Sequence, residues 1–191
     1  MRAKTAKVLL RLMGWKGIGG PAPDKKCIFL GAPHTSIADF FVAWVYCRSV
    51  GMKTAIIVKD AFYRWPFRKL LDSVGVIHID RSHPTGTVKS VIDAFNSRDE
   101  MVLGLAPEGT RDAVKNWKTG FHTIAREAGV PVYISFIDWG TKRVGIGERF
   151  ECSADARADL VAIQKKYKKM GVVGRHPKNF VFLDEVEKSA E

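Results

Sequence analysis

The sequence predicts an α/β fold, with a mixed, mostly parallel central sheet flanked by helices. Short apolar runs, typical of buried strands, alternate along the chain with segments whose apolar residues recur at helical spacing. The length of 191 residues suggests one domain. Apolar residues make up 46% of the chain and charged residues 27%, which indicates a packed core rather than a disordered chain.

Five apolar runs and one alternating segment predict the strands. They are CIFLGA (27–32), TAIIV (54–58), VIHI (76–79), MVLGLA (101–106), VPVYISFI (130–137) and, as a candidate edge strand, 142–150. Helical spacing marks the segment that begins at Ile37, the stripe from Val88 to Phe95, residues 119–128 and a basic C-terminal helix from Leu160 to Met170. Because strands and helices alternate, we expect at least part of the sheet to be parallel.

The first 20 residues are predicted to be an amphipathic membrane-interface segment, and residues 21–191 a single domain. On a helix, basic side chains line one side and apolar ones the other; these are Lys4, Lys7 and Arg11 against Val8, Leu9, Leu12 and Met13. Such a helix can lie in a membrane interface, but the pattern equally fits a terminal helix packed on the domain. The apolar run VLL is too short for the h-region of a signal peptide, so none is expected, and no stretch approaches the ~20 apolar residues of a membrane span.

The net charge indicates which classes of partner the protein binds, and the cysteine content indicates its cellular compartment. The formal net charge of +11 favours phosphorylated metabolites, anionic lipid or nucleic acid as partners. Cys27, Cys47 and Cys152 are odd in number and form no C-x-x-C pair, so a reducing cytosol is expected. Cys27 and Cys47 sit in apolar runs and are expected in the core. The spacing of cysteines and histidines predicts no metal site, and no cofactor motif is present.

The stretch PHTSIADFF (33–41) places a histidine and an aspartate directly after the first strand. A histidine oriented by a carboxylate can act as a general base near neutral pH. On one continuous helix His34 and Asp39 would point about 140° apart, so they can meet only if His34 precedes the helix. Pro33 and Ser36 place the bend there. Taken alone, the segment is better explained by Ser36 capping the helix and Asp39 complementing its dipole.

A second polar turn, APEGTR (106–111), follows the fourth strand. Arg111 there can clamp a phosphate in two-pronged geometry, although a surface turn with a Glu–Arg pair is the ordinary alternative. Ligands of such sheets bind at the carboxyl ends of the strands, so parallel strands would bring both turns to one edge. Between them, residues 58–81 mix cations with aromatic rings, which suits lipid headgroups, single-stranded nucleic acid or a plain amphipathic helix. Arg81 follows a strand and is expected at the same edge.

Taken together and in order, H-T-S-I-A-D, V-I-H-I-D-R, P-E-G-T-R and V-P-V resemble the PlsC-like glycerolipid acyltransferase family, in a compact bacterial branch. The resemblance spans residues 31 to about 137 and implies a glycerol-3-phosphate/lysophosphatidate acyltransferase-like fold. It implies that His34 is the general base and that Asp39 orients it. It further implies a substrate-binding role for seven residues: Lys59, Arg81, Glu108, Gly109, Thr110, Arg111 and Pro131.

The implied reaction moves a fatty acyl group from acyl-CoA or acyl carrier protein to the hydroxyl of a lysophospholipid-type acceptor such as lysophosphatidic acid. It needs no cofactor and no metal. The implied partners are the acyl thioester, the lysolipid and a membrane surface, with acyl carrier protein as a possible donor carrier and without nucleic acid. The expected location is cytoplasmic, peripherally on the inner face of the membrane. Two alternatives stay open: an amino-acid lipid acceptor (lyso-ornithine or lyso-glycine lipid), and a non-catalytic basic lipid-binding module.

Overall fold

The structure, a computed structural model, describes residues 1–58, 76–78 and 84–187 and contains a seven-stranded sheet. The strands are β1 Lys16–Ile18, β2 Lys26–Ala32, β3 Thr54–Val58, β4 Val76–His78, β5 Met101–Leu105, β6 Val132–Asp138 and β7 Arg143–Phe150. Their order across the sheet is β1-β7-β6-β2-β5-β3-β4. From β6 to β4 every neighbouring pair is parallel, whereas β7 is antiparallel to β6. The predicted mixed, mostly parallel α/β sheet is confirmed.

The helices of the described residues precede, connect or follow the strands. They are α1 Ala3–Leu12, α2 Ile37–Ser49, α3 Pro84–Asn96, α4 Gly120–Ala128, α5 Ala156–Met170, a 3-10 turn Pro177–Asn179 and α6 Asp184–Glu187. One expectation is wrong: β7 is not an edge strand, because β1 pairs in parallel on its outer side. Strand β1 has only three residues, which are too few to show an alternating pattern, so periodicity did not predict it.

The core lies on both faces of the sheet because β2 is apolar at every position from 27 to 30. Ile28 and Leu30 pack in a cluster with α3, α4 and α5. Cys27 and Phe29 pack on the other face in a cluster with α1 and α2. A central parallel strand that is buried on both faces reads as a continuous apolar run, as CIFLGA does. Cys27 and Cys47 are free, buried core thiols, as predicted.

Helix α1 packs against α2 and also keeps an apolar surface. Ala6 and Leu10 are buried, whereas Val8, Leu9, Leu12 and Met13 are exposed. Packing and an outward apolar side therefore coexist on the same helix. Among the described residues, no helix has both the length and the apolar content needed to cross a bilayer.

The carboxyl ends of β2, β5 and β6 come together at one edge of the sheet. Leu30 pairs with Leu105 on one side and with Ile134 on the other. Tyr167 of α5 braces this region, since its hydroxyl lies at hydrogen-bond distance from the carbonyl oxygens of Leu30 and, at 2.9 Å, Ser135. The segments that leave these three strands therefore begin at the same edge of the sheet.

Candidate active site

The loop that leaves β2 turns into α2 through a capping box. Ser36 is the N-cap residue, and its hydroxyl accepts a hydrogen bond from the amide of Ala38 at 3.3 Å. In return, Oδ2 of Asp39 accepts hydrogen bonds from the amides of Ser36 and Thr35, both at 2.8 Å. The carboxylate that caps the helix is therefore fixed in place by the backbone that precedes the helix.

The same carboxylate faces the histidine. Nδ1 of His34 lies 3.4 Å from Oδ2 of Asp39, at the long end of hydrogen-bond distance. Asp39 is fully buried, whereas 28% of the His34 side chain is exposed. The capping box and the pairing of the two side chains thus occur together, because the cap supplies the bend that brings them close, while the catalytic role of the pair stays a prediction. With Nδ1 turned toward the carboxylate, Nε2 is the nitrogen left to meet a substrate.

Trp139, directly after β6, completes the surroundings of Asp39. Its indole Nε1 donates a hydrogen bond to Oδ1 of Asp39 at 2.7 Å. Burial alone would raise the pKa of Asp39, but the hydrogen bonds from His34, Trp139 and the two loop amides hold it below its ordinary value. Sequence reasoning missed Trp139, although it lies at the carboxyl end of a parallel strand like the residues that were chosen.

Glu108, in the turn that follows β5, is turned into the protein rather than toward solvent. Only 3% of the residue is exposed, and Oε1 accepts a hydrogen bond from the backbone amide of His34 at 2.8 Å. The other oxygen, Oε2, is buried and has no hydrogen-bond partner among the described residues. Burial raises the pKa of Glu108 to about 7. In this structure Glu108 therefore holds the His34 loop, and its acceptor-binding role stays a prediction.

The turn after Glu108 displays Arg111 at the surface. Gly109 has φ +67°, and an added Cβ would lie 2.9 Å from Cγ of Lys118, so a larger residue would strain the backbone and displace the Lys118 side chain. Thr110 Oγ1 accepts a hydrogen bond from the amide of Asp112 at 3.2 Å. The Arg111 carbonyl accepts one from the Asn179 side chain at 2.9 Å. The exposed Arg111 guanidinium forms no ion pair with any described acid and can meet an external anion.

Two further cations stand against the Trp139 ring. Nζ of Lys142 lies 4.1 Å and Cζ of Arg175 4.9 Å from a ring centroid of the indole. The chain next to Arg175 is tied to the His34 loop, since the amide of His176 donates a hydrogen bond to Thr35 Oγ1 at 3.1 Å. The site thus combines a His–Asp dyad with an exposed positive rim.

The remaining predicted site residues are Lys59, Arg81 and Pro131. Lys59 and Arg81 lie outside the described residues. Pro131 is buried at the amino end of β6, and Phe136 of the same strand pairs with Ala32 next to the dyad loop. About 16 Å of strand therefore separates Pro131 from the dyad edge. A role for Pro131 in the substrate site stays a prediction.

Comparisons with known proteins agree with this geometry. The sequence profile of the acyltransferase family matches residues 21–135. The fold resembles the crystal structure of the 1-acyl-sn-glycerophosphate (LPA) acyltransferase PlsC from Thermotoga maritima, with a TM-score of 0.62 and 15% sequence identity. The match covers 88% of this chain and 78% of that one. No curated protein sequence matches the chain at a significant level.

Proposed function

Because the chain belongs to the acyltransferase family, we propose that it moves a fatty acyl group from an acyl thioester to a lysolipid hydroxyl in membrane lipid synthesis. The observation that carries this proposal is the 3.4 Å pairing of His34 Nδ1 with Asp39 Oδ2 at the carboxyl edge of the sheet. A partly exposed imidazole beside a buried carboxylate is an arrangement suited to general-base catalysis.

In the proposed reaction, Nε2 of His34 takes the proton of the acceptor hydroxyl while the hydroxyl oxygen attacks the carbonyl carbon of the thioester. The new C–O bond gives a tetrahedral intermediate, which collapses as the C–S bond breaks. The leaving thiolate takes the proton back from the imidazolium, so no covalent acyl-enzyme forms. Asp39 stabilises the transient imidazolium, and its own charge is secured by three N–H donors from Thr35, Ser36 and Trp139.

The acceptor is proposed to be a lysophospholipid such as lysophosphatidic acid, with Arg111 on its phosphate. The guanidinium is exposed, follows β5 at the same edge as His34 and forms no ion pair with an acid in the described part of the chain, which supports this assignment. Lys59 and Arg81 are proposed to join the anion site. An amino-acid lipid acceptor remains the second candidate, because its hydroxyl would meet the same dyad without using a phosphate clamp. The donor is acyl-CoA or acyl carrier protein, and the reaction requires no cofactor.

The enzyme is proposed to work at the inner face of the cytoplasmic membrane. Helix α1 exposes an apolar side, and the adjoining α2 exposes Ile37 and Phe41 within two turns of the dyad loop. An apolar surface next to the catalytic edge, flanked by Lys and Arg, suits a lysolipid that stays partly in the bilayer. No transmembrane anchor is needed for this mode of attachment.

Replacement of the base, His34→Ala, tests the proposal. Turnover is expected to fall at least about 100-fold, because the general base is lost. The assay measures thiol release and product mass for a lysolipid panel with both donor types. The unfolding temperature and vesicle binding of the variant should match the wild type. Unchanged turnover would remove His34 from the mechanism. A wild-type protein that binds vesicles but releases no thiol with any pair would be a lipid-binding module instead.

A further inference from the structure

A second cluster of chemically active side chains lies away from the dyad. It consists of His122 on α4, Cys152 after β7 and Asp159 on α5, whose ligand atoms all lie within 4.8 Å of one another. His122 and Asp159 are buried, and Cys152 is partly exposed. His122 lies 30 positions from Cys152 and 37 from Asp159, so the tertiary fold brings it to the other two, which is why sequence spacing gave no sign of this cluster.

The contact between His122 and Asp159 is close but is not a hydrogen bond. Nε2 of His122 lies 3.1 Å from Oδ2 of Asp159. The nitrogen is nevertheless a buried polar atom with no hydrogen-bond partner among the described residues, because the ring N–H direction misses the oxygen. A buried ring nitrogen without a partner destabilises the folded state, and a bound ligand would remove this penalty. Oδ2 already accepts a hydrogen bond from the amide of Ser153 at 2.7 Å.

We propose that His122, Cys152 and Asp159 bind a single divalent zinc ion. Zinc lies about 2.0–2.1 Å from histidine nitrogen and carboxylate oxygen, so a 3.1 Å separation of Nε2 and Oδ2 corresponds to an angle of about 100° at the metal. That angle is close to the tetrahedral value, so the distance between the two atoms suits two ligands of one ion. Sulfur binds at about 2.3 Å, so Cys152 has to approach by about 1 Å, within reach of a side-chain rotation.

The surroundings of the cluster fit a cation. A bound thiolate and carboxylate carry two negative charges, which a divalent ion neutralises. The amide of Ser153 orients the Asp159 carboxylate, as outer hydrogen bonds do in metal sites. Cys152 and Ser153 also line a cavity of about 460 Å³ that opens to solvent and provides an entry path. A water molecule from this cavity would complete a tetrahedral set.

The site lies at the end of the sheet away from the dyad and does not depend on the proposed function. Cys152 follows Phe150, which pairs with Val132 at the amino end of β6. The ion would join α4, α5 and the segment after β7, and would thereby stabilise the fold rather than act on the acyl group.

Cobalt(II) titration of the full-length, chelator-treated protein tests the proposal. We expect saturation at one equivalent, with a thiolate-to-cobalt charge-transfer band in the near ultraviolet and tetrahedral bands in the visible. Zinc should displace the cobalt and raise the unfolding temperature. Cys152→Ala should abolish the charge-transfer band and weaken cobalt binding at least about tenfold.

Cys27→Ala is the matched control, because Cys27 is a buried thiol in the other core cluster. It should keep the charge-transfer band. Absence of stoichiometric binding to the folded wild type, or an identical band and affinity in Cys152→Ala, would overturn the proposal. Because Cys152 is at the surface of the cluster, its replacement leaves the buried His122 and Asp159 in place and the result can be read on a folded protein.

Discussion

At the scale of single residues, Glu108 is the buried acid whose charge state should shape the stability of the protein. Its pKa is raised to about 7 from an ordinary 4.5, because burial penalises the carboxylate. Below pH 4.5 both the folded and the unfolded state are protonated, and the stability is fully present. As the pH rises toward 7, the unfolded state loses its proton first, so stability falls by about 3 kcal/mol from this group.

Glu108→Gln removes that pH dependence while it keeps an oxygen for the His34 amide. The difference in unfolding free energy between variant and wild type should therefore move in favour of the variant by about 3 kcal/mol between pH 4.5 and pH 8. Denaturant unfolding at a series of pH values measures this difference. Its change with pH is the test, since the amide group can add an offset that is the same at every pH. Parallel curves for the two proteins would show that the Glu108 carboxyl group is not perturbed.

Trp139 is predicted to position Asp39 through its indole N–H. Trp139→Phe keeps an aromatic ring against Lys142 and Arg175 but removes the 2.7 Å hydrogen bond to Oδ1. A hydrogen bond to a charged group contributes about 1.5 kcal/mol or more, so kcat should fall at least about tenfold. Steady-state kinetics should show little change in KM for either substrate, because the residue acts through Asp39. Wild-type kcat in a stably folded Trp139→Phe would exclude this positioning role.

The meeting of His34 and Asp39 could be predicted from sequence, whereas the partners of Asp39 and Glu108 could not. Pro33 and Ser36 encode the bend within the seven residues from 33 to 39, and the other motifs in their order favoured the pairing that this bend allows. Trp139 lies 100 positions from Asp39, and Glu108 lies 74 positions from His34. Those contacts are set by which strands are neighbours in the sheet, and no local pattern carries that information.

At the scale of elements, α1 shows how one helix can both pack on the domain and keep an exposed apolar side. Its buried positions are Ala6 and Leu10, one turn apart, which were not among the apolar residues that the sequence singled out. The four singled-out residues form the exposed side instead. Periodicity finds an apolar stripe but does not say which part of a wide stripe the domain covers.

The exposed side of α1 is predicted to insert into the membrane interface. Leu12 is 80% exposed and Val8 is 55% exposed, so Val8→Ser with Leu12→Ser removes apolar surface without opening the core. Burial of each such side chain stabilises by about 1.5 kcal/mol or more, and vesicle affinity should fall at least about tenfold. Vesicle co-sedimentation measures this. The matched control is Met170→Ser on α5, which removes an exposed apolar side chain elsewhere.

The unfolding temperature of the double variant should equal that of the wild type, since both positions face solvent. Equal vesicle affinity in the double variant and the wild type would mean that α1 is only a terminal helix packed on the domain. A loss of affinity in Met170→Ser of the same size would mean that the effect is not specific to α1.

At the scale of the whole molecule, strand direction places the active site. The sequence shows that polar turns follow two buried strands, but only the parallel pairing of β2 with β5 and β6 proves that they open at one edge. Alternation of strands and helices made that pairing the expected one. The strand order and the reversal at β7 depend on long-range packing and could not be obtained from local patterns.

The distribution of charge leads to a prediction about the membrane itself. The chain carries +11, and residues 1–26 hold seven Lys or Arg and one Asp, so 7 − 1 = +6 of this charge lies in the N-terminal 26 residues, which include α1. Basic residues near an anionic surface contribute about 1 kcal/mol each, and salt shortens the screening length from about 10 Å at 0.1 M to about 3 Å at 1 M. Affinity for anionic vesicles should therefore fall steeply over this range, whereas weaker binding to neutral vesicles should stay constant.

The two contributions can be separated with the α1 double variant. Val8→Ser with Leu12→Ser leaves every charge in place, so its binding to anionic vesicles should be weaker at each salt concentration but should fall with the same slope as the wild type. A parallel pair of curves means that charge attracts the protein and the apolar side of α1 holds it. Salt-independent binding of the wild type to anionic vesicles would contradict the electrostatic contribution. A different salt dependence in the double variant would show that the electrostatic and apolar contributions are not independent.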